Sequence, residues 1–502
     1  MIESKLISQT HSTPSLTGRV RGGSSLSERI GYGFGDMSSS MFWKVFSYYL
    51  PFFYSNVFGL SLVDAGVLVL VTRIWDAVSD PMMGIIADRT KTRWGKYRPY
   101  LLFVAPLFSI AGILLFTTPD WNYGAKLVYA YVTYILMMTV YTAINVPYGA
   151  MLGVMTDDSQ EKTVFSSFRM FFAYGGSFIA LASWEPLVNF FKAGGLGGET
   201  AERTAGAWQH AMMVIAAACF VLFLLTFALT RERLKSESSV SVGKDIRSLL
   251  SNQPWWILIG AALCFNLFCT VRGATVAYYF ADIIGFDAQL HLPSIGEGQG
   301  MGFLFYAGLF LSVGEVSNMI GVACTVPLAK RFGKKLLFIC VNAFLMILSI
   351  CFFFIPVSPV GFWLMLLFQV LISILTGVMS PLIWSMYADV SDYAEWRYKT
   401  ASTGLIFSSS SMAQKFGGAI GGAAVLWLLS ACCYTPRTDE QIINQALISQ
   451  PESALLCLRF LMSFIPAAIA LMAMLTCHFY PLTTKRMAEI NQQLKENRCH
   501  ND

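Results

Sequence analysis

Charge is what this 502-residue sequence has least of. Only 13% of its residues are Asp, Glu, Lys or Arg, about half the share of an ordinary soluble domain. Against that stand 55% apolar residues and a mean hydropathy of +0.56. The balance excludes a disordered chain and leaves a soluble domain too little polar surface. Cysteine is absent before Cys219, and the 11 that occur show no CxxC spacing. They read as small core residues, not as a metal or redox centre. His11, His210, His291, His478 and His500 are the five histidines. They fall at ends or loops and never at ligand spacing, which argues against a metal-dependent membrane enzyme. Residues 1–27, rich in Ser, Thr and Gly, lack the apolar core of a secretion signal. A net charge of +5 gives no case for nucleic acid.

What remains is a set of long apolar runs. Twelve stretches are long enough to cross a bilayer, near 36–57, 60–87, 98–118, 124–152, 164–186, 207–230, 254–284, 300–328, 336–357, 360–388, 402–430 and 453–480. They are continuous rather than alternating, which excludes an outer-membrane barrel. An even number puts both termini on one side. The basic residues say which: 25 of the 35 fall in the tails and the loops on the side of the termini, four in the opposite loops, six in or at the edges of spans. By the positive-inside rule both termini are cytoplasmic. The run Asp88-Arg-Thr-Lys-Thr-Arg-Trp-Gly-Lys-Tyr-Arg-Pro99 after span two returns as Lys330-Arg-Phe-Gly-Lys-Lys335 after span eight. The expected plan is an all-α polytopic membrane protein with two six-helix halves, the major facilitator fold. Its parts are a tail (1–29), a first half (30–230), a cytoplasmic linker (231–253), a second half (254–481) and a C-terminal tail (482–502).

Charges inside spans are costly, about 2.5–3.5 kcal/mol each at mid-bilayer, so each asks for a reason. Arg73, Asp76 and Asp80 lie on span two. The two carboxylates are four apart and share a helical face. Side by side they repel, and a bound cation or proton relieves that. A structural network with Arg73 and a lysine from another helix is the competing account. Lys415 on span eleven, followed by Gly417, Gly418, Gly421 and Gly422, suits a close helix contact that carries it to the cavity. On span one, Asp36, Ser40 and Lys44 fall at helical spacing. On span four, Tyr141, Thr142, Asn145 and a break at Pro147 suit sugar hydroxyls. Arg272 on span seven reads either as a ligand group or as a pair with Glu315. Trp384 is the candidate for stacking on a sugar ring.

These motifs resemble the glycoside–pentoside–hexuronide:cation symporters, the family of the melibiose carrier, from about Arg29 to Pro481. The resemblance rests on Gly31-Tyr-Gly-Phe-Gly-Asp36, Arg73-Ile-Trp-Asp76-Ala-Val-Ser-Asp80-Pro, Thr92-Arg-Trp-Gly-Lys-Tyr-Arg-Pro99, Asn145-Val-Pro-Tyr-Gly149 and Ala388-Asp-Val-Ser-Asp392-Tyr-Ala-Glu395-Trp396. It implies cation-coupled sugar import across a bacterial inner membrane, with Na⁺ or H⁺ as the coupling ion. It implies no catalysis, no cofactor and no metal beyond that ion. The implied partners are a sugar, the cation and lipid, and the carrier works as a monomer. It assigns the cation to Asp76, Asp80, Ser79 and Thr142. It places Ser40, Tyr141, Asn145 and Arg169 at sugar-pocket positions and Lys415 beside the ion, and the residue reading adds Lys44, Arg272 and Trp384 to the expected substrate site. Asp88, Arg89, Arg93, Lys96, Asp389 and Asp392 are expected to latch the cytoplasmic face. Ser40 and Asn145 stand where melibiose-type members carry Asp, and Lys44 where the melibiose carrier has Gly. A galactoside is therefore disfavoured, and the xyloside and glucuronide branch is closer. Either Lys44 binds a substrate carboxylate, or it pairs with Asp36 or the span-two carboxylates beside a neutral pocket. A proton-coupled efflux carrier of the same fold is the alternative.

Overall fold

The computed structural model describes residues 25–156, 159–192, 204–233, 250–284, 303–398, 403–436 and 450–501. The chain is helical almost throughout these. The helices are α1 (Leu26–Phe52), α2 (Leu62–Arg89), α3 (Arg98–Leu115), α4 (Tyr123–Met155), α5 (Ser159–Lys192) and α6 (Thr204–Leu229), then α7 (Gln253–Tyr279), α8 (Phe303–Phe332), α9 (Lys334–Phe352), α10 (Pro359–Tyr398), α11 (Thr403–Ala431), α12 (Glu452–Met462), α13 (Phe464–His478) and α14 (Thr484–Asn501). Their starts follow local chemistry. Ser25, Ser61, Asn122 and Asn252 each cap a helix by accepting from a backbone N–H three residues on. Pro99 and Pro254 occupy first turns, where their missing N–H costs nothing.

Ten segments among the described residues are long and apolar enough to cross a membrane: α3 to α11 and the pair α12–α13. Helices α1 and α2, at 27 and 28 residues, are long enough but too polar to qualify by composition. Glu28, Arg29, Asp36 and Lys44 lie on α1, and Arg73, Asp76 and Asp80 are among the six charges on α2. Composition therefore singles out ten spans where the sequence reading expects twelve, and the two left out carry much of the candidate site. The last expected span is interrupted at Ser463, which leaves the helical region between α12 and α13. The expected break at Pro147 does not occur. Helix α4 runs through it, as membrane helices do where neighbours satisfy the freed carbonyl. Most of the linker, 234–249, lies outside the described residues.

Helices pack first within each half. In the first, α1 meets α5 and α6, α3 meets α4 and α6, and α2 meets α4. In the second, α8 meets α10, α7 meets α11 and α13, and α9 meets α13. The main crossings are α2 on α11, α5 on α8 and α1 on α7. Small residues make them close. A methyl on Gly273 would stand 2.3 Å from the Tyr48 ring, and one on Gly66 would stand 2.4 Å from Trp427.

The halves also share details. Helices α1 and α7 are each 27 residues long, and each continues as a five-residue π-helical segment, Phe53–Val57 and Phe280–Ile284. All ten residues of those segments are buried. Ser55 and Tyr278 hydroxyls meet across the seam at 2.7 Å, and the Phe52 ring meets that of Tyr278 edge-on. The repeated Trp-Gly-Lys and Phe-Gly-Lys turns place Gly95 and Gly333 at φ +118° and +79°, where a side chain is strained. Each turn glycine abuts a residue that follows the last helix of its own half. A Cβ on Gly95 would lie 2.6 Å from the Glu232 carboxyl carbon, and one on Gly333 would lie 2.5 Å from Thr484 Oγ1.

Candidate functional site

Helical spacing puts Asp76 and Asp80 on the face of α2 that meets α4 and α11. Thr142 of α4 stands between them. Its hydroxyl lies 3.2 Å from Asp76 Oδ1 and 3.0 Å from Asp80 Oδ1, and Ser79 Oγ is 3.4 Å from the same hydroxyl. Lys415 reaches in from α11. Its ammonium donates to Asp76 Oδ1 at 3.0 Å and also to Asp80 Oδ2. Asp76 is fully buried, and its Oδ2 has no hydrogen-bond partner. The four residues expected to hold the cation thus meet at one point, with Lys415 between the carboxylates. Gly417 and Gly421 seat α11 closely on α7, where a Cβ on either would lie 2.8–2.9 Å from Asn266 or Thr270, and a Cβ on Gly422 would lie 3.2 Å from Val69 of α2.

Beside this cluster lies a cavity of about 720 Å³ between the halves, within the range of small-molecule sites. Asp36, Lys44, Arg73, Tyr141, Asn145, Arg169, Trp384 and Lys415 line it. Tyr141 faces Trp43 with ring centroids 5.1 Å apart. Asn145 Oδ1 accepts from Ser39 Oγ at 3.3 Å. Arg169 of α5 holds Asp36 of α1 through Nε at 3.0 Å and Nη2 at 3.4 Å. Arg73 stacks under Trp43, its guanidinium carbon 4.5 Å from the ring centre, and under Phe46 at 5.2 Å.

A smaller cavity of about 210 Å³ adjoins it, lined by Lys44, Tyr48, Arg272, Glu315 and Gln369 among others. Here both expected pairings are corrected. Lys44 joins neither Asp36 nor the α2 carboxylates; it crosses the seam to Glu315 of α8 at 2.5 Å. Asp36 is taken by Arg169, and the α2 carboxylates by Lys415. Arg272 does not pair with Glu315. It is buried, donating to the Met462 carbonyl at 2.7 Å and to Gln369 Oε1 at 3.2 Å. Asp36, Ser40 and Lys44 do not act as one stripe, because Asp36 turns to α5 and Lys44 to α8. Ser40 lines neither of these cavities.

The expected latch resolves into ties within each half. Lys334 holds Asp389 at 2.7 Å, with Asp392 three residues further along α10. The Glu232 carboxylate accepts the backbone N–H groups of Lys96, Tyr97 and Arg98 at 2.7, 2.7 and 2.8 Å. Arg93 stacks on Trp94 at 4.2 Å, and Arg89 is exposed at the end of α2. The Asp88 side chain lies outside the described residues.

Sequence reasoning passed over Ser39, Trp43, Tyr48 and Gln369, and gave Arg73 only a structural part. A lone Ser or Trp in an apolar helix carries no local signal. Arg73 did carry one, three residues before Asp76.

The model of the family described as "MFS/sugar transport protein" matches residues 31–484. The chain is similar to the inner membrane symporter YicJ of Escherichia coli K12, 33% identical over 94% of this chain and 96% of the relative. It is similar to the isoprimeverose transporter of Lactiplantibacillus pentosus, at 31% over 95% and 94%. It is also similar to the glucuronide carrier protein homolog of E. coli K12, at 28% over 92% and 93%. Among solved structures, nucleoside transporter NupG (D323A mutant) superposes with a TM-score of 0.65 at 12% identity, covering 91% of this chain and all of that one. At that identity the likeness concerns the fold alone.

Proposed function

Because the chain belongs to the MFS/sugar transport protein family, we propose that this multi-pass membrane protein is a cation-coupled symporter that imports a glycoside, pentoside or hexuronide by alternating access. The observation that carries the reading is the Lys415 ammonium held between Asp76 and Asp80. Two carboxylates and two hydroxyls form a hard oxygen set suited to Na⁺ or H⁺, and Lys415 occupies it as a tethered stand-in. The buried, unpartnered Asp76 Oδ2 is an acceptor left for the coupling ion. Arrival of the ion frees Lys415 towards the adjoining cavity, which links ion binding to sugar binding. Such coupling is reciprocal: sugar tightens the ion by the same factor.

The π-helical ends of α1 and α7 are buried and meet through Ser55 and Tyr278, and this reading takes them as the closed end of the cavity. With both termini in the cytoplasm of a bacterial cell, that closed end is periplasmic and the carrier is inward-facing. Opening to the other side parts Lys44 from Glu315 and Ser55 from Tyr278, while the 30–230 and 254–481 halves rock as units.

Uptake into proteoliposomes under an imposed Na⁺ or H⁺ gradient tests this. The panel is a xyloside, a glucuronide, isoprimeverose and melibiose. Gradient-driven accumulation is expected, and Asp80→Asn should abolish its ion dependence while permitting some exchange. Full ion-stimulated uptake in Asp80→Asn would remove the assigned cation site.

A further inference from the structure

Among the described residues lining the central cavity, Arg73 is a cation with two nitrogens left unmatched. It is 6% exposed, and its Nε and Nη1 are buried with no hydrogen-bond partner. Lys44 is held by Glu315, Arg169 by Asp36, and Lys415 by Asp76 and Asp80. Trp43 and Phe46 cover the guanidinium on their faces, and Tyr134 and Tyr141 line the cavity beside it. Stacking on aromatic faces steadies a guanidinium by about 0.5–2 kcal/mol, yet it leaves the N–H groups on Nε and Nη1 unsatisfied, a cost of about 1–3 kcal/mol.

The charges around the cavity explain how this can persist. Arg73, Lys44, Arg169 and Lys415 stand against Asp36, Glu315, Asp76 and Asp80. The set is neutral, four against four, and because one ammonium serves two carboxylates, Arg73 offsets the second from a distance. A monovalent ion entering between Asp76 and Asp80 adds one positive charge. The cavity lining then carries one positive charge in excess, and Arg73 and the freed Lys415 face it without a carboxylate.

From this geometry we infer that Arg73 is an anion-binding residue of the substrate site, and that the cargo is a sugar bearing one compact monoanionic group, a carboxylate or a sulfonate. This rests on the symporter reading above. The planar fork of a guanidinium matches either oxyanion. A phosphate dianion would overshoot neutrality by one charge. The assignment moves the anion partner away from Lys44 and Arg272, whose donors are already engaged. It also fixes the electrical character of transport: one monovalent cation with one monoanionic sugar carries no net charge across the membrane.

The test uses the full chain in proteoliposomes with an Na⁺ gradient. A methyl glucuronide, a sulfonated glucoside and neutral methyl glucoside are compared, with and without a clamped membrane potential. Wild type should favour at least one anionic sugar, with uptake insensitive to potential. Whichever of the two half-saturates lower identifies the group. Arg73→Gln should raise that KM by about 100-fold or more, and Arg73→Lys should recover part of it. An Na⁺ titration of each variant establishes that it is folded. Neutral sugar accumulating as well as the anionic ones, an equal loss of all sugars in Arg73→Gln, or uptake driven by potential at 1:1 stoichiometry would overturn the assignment and leave the symporter standing. Absence of gradient-driven accumulation of any sugar would overturn both.

Discussion

Replacing Lys415 by Gln removes the positive charge from between Asp76 and Asp80 while keeping a polar side chain of similar reach. If the ammonium occupies the ion's place, the variant should bind the coupling cation more tightly in the absence of sugar. The size follows from the geometry. A unit charge about 4 Å from an opposite one at an effective dielectric near 20 gains about 4 kcal/mol. Lys415 touches two carboxylates, one at 3.0 Å, and its side chain is only 15% exposed, so screening is modest. It is not expelled when the ion arrives, since its tether keeps it within several ångströms. Half the interaction is a fair measure of what the ion must overcome, about 2–4 kcal/mol. That corresponds to a gain of about 30- to 1,000-fold in cation affinity. Tryptophan fluorescence or radiolabelled Na⁺ binding on purified protein, without sugar, reads it directly. In the same variant sugar should no longer tighten the ion, because the group that moves between the two sites is gone. A Lys415→Gln protein with unchanged or weaker sugar-free cation affinity would refute the stand-in argument, whatever its transport rate.

Two further outcomes follow from named contacts. Glu315→Gln leaves Lys44 unpaired at the seam, where breaking a buried pair costs about 3–5 kcal/mol; the closed end should loosen, and an Asn56→Cys probe there should gain reactivity towards an impermeant maleimide, with equal labelling in both backgrounds counting against a seam role. Glu232→Ala strips three backbone donors of a charged acceptor, each worth about 1.5 kcal/mol or more, so thermal stability in detergent should fall, and an unchanged melting temperature would show that water replaces the carboxylate without cost.

The carboxylate cluster of α2 was the most legible part of the candidate site. Asp76, Ser79 and Asp80 sit on one helix at fixed spacing, so their shared face follows from the sequence once α2 is a helix. Thr142 came through the family pattern, and Lys415 through the glycines that follow it. What the sequence hid were partners chosen across the seam. Lys44 and Glu315 are 271 residues apart, and nothing local to either prefers the other over Asp36, which lies two turns from Lys44 on its own helix. The Arg272 contact with the Met462 carbonyl was equally invisible, since it depends on the interruption at Ser463. Composition alone counts ten spans rather than the expected twelve for a related reason. Apolar composition finds helices that merely cross a membrane, and α1 and α2 also carry the charges of the site.

Among the described residues, two helix tips of the same π-helical form meet across the seam through Ser55 and Tyr278. A flap that folds over a site must order itself each time it closes, at about 1–2 kcal/mol for every backbone residue fixed. In the proposed cycle the contacts that part belong to residues already in α1 and α7 and their continuations. Remaking them demands little ordering, so temperature has small leverage on the step, and the balance between shut and open falls to a few charges and hydroxyls on the seam.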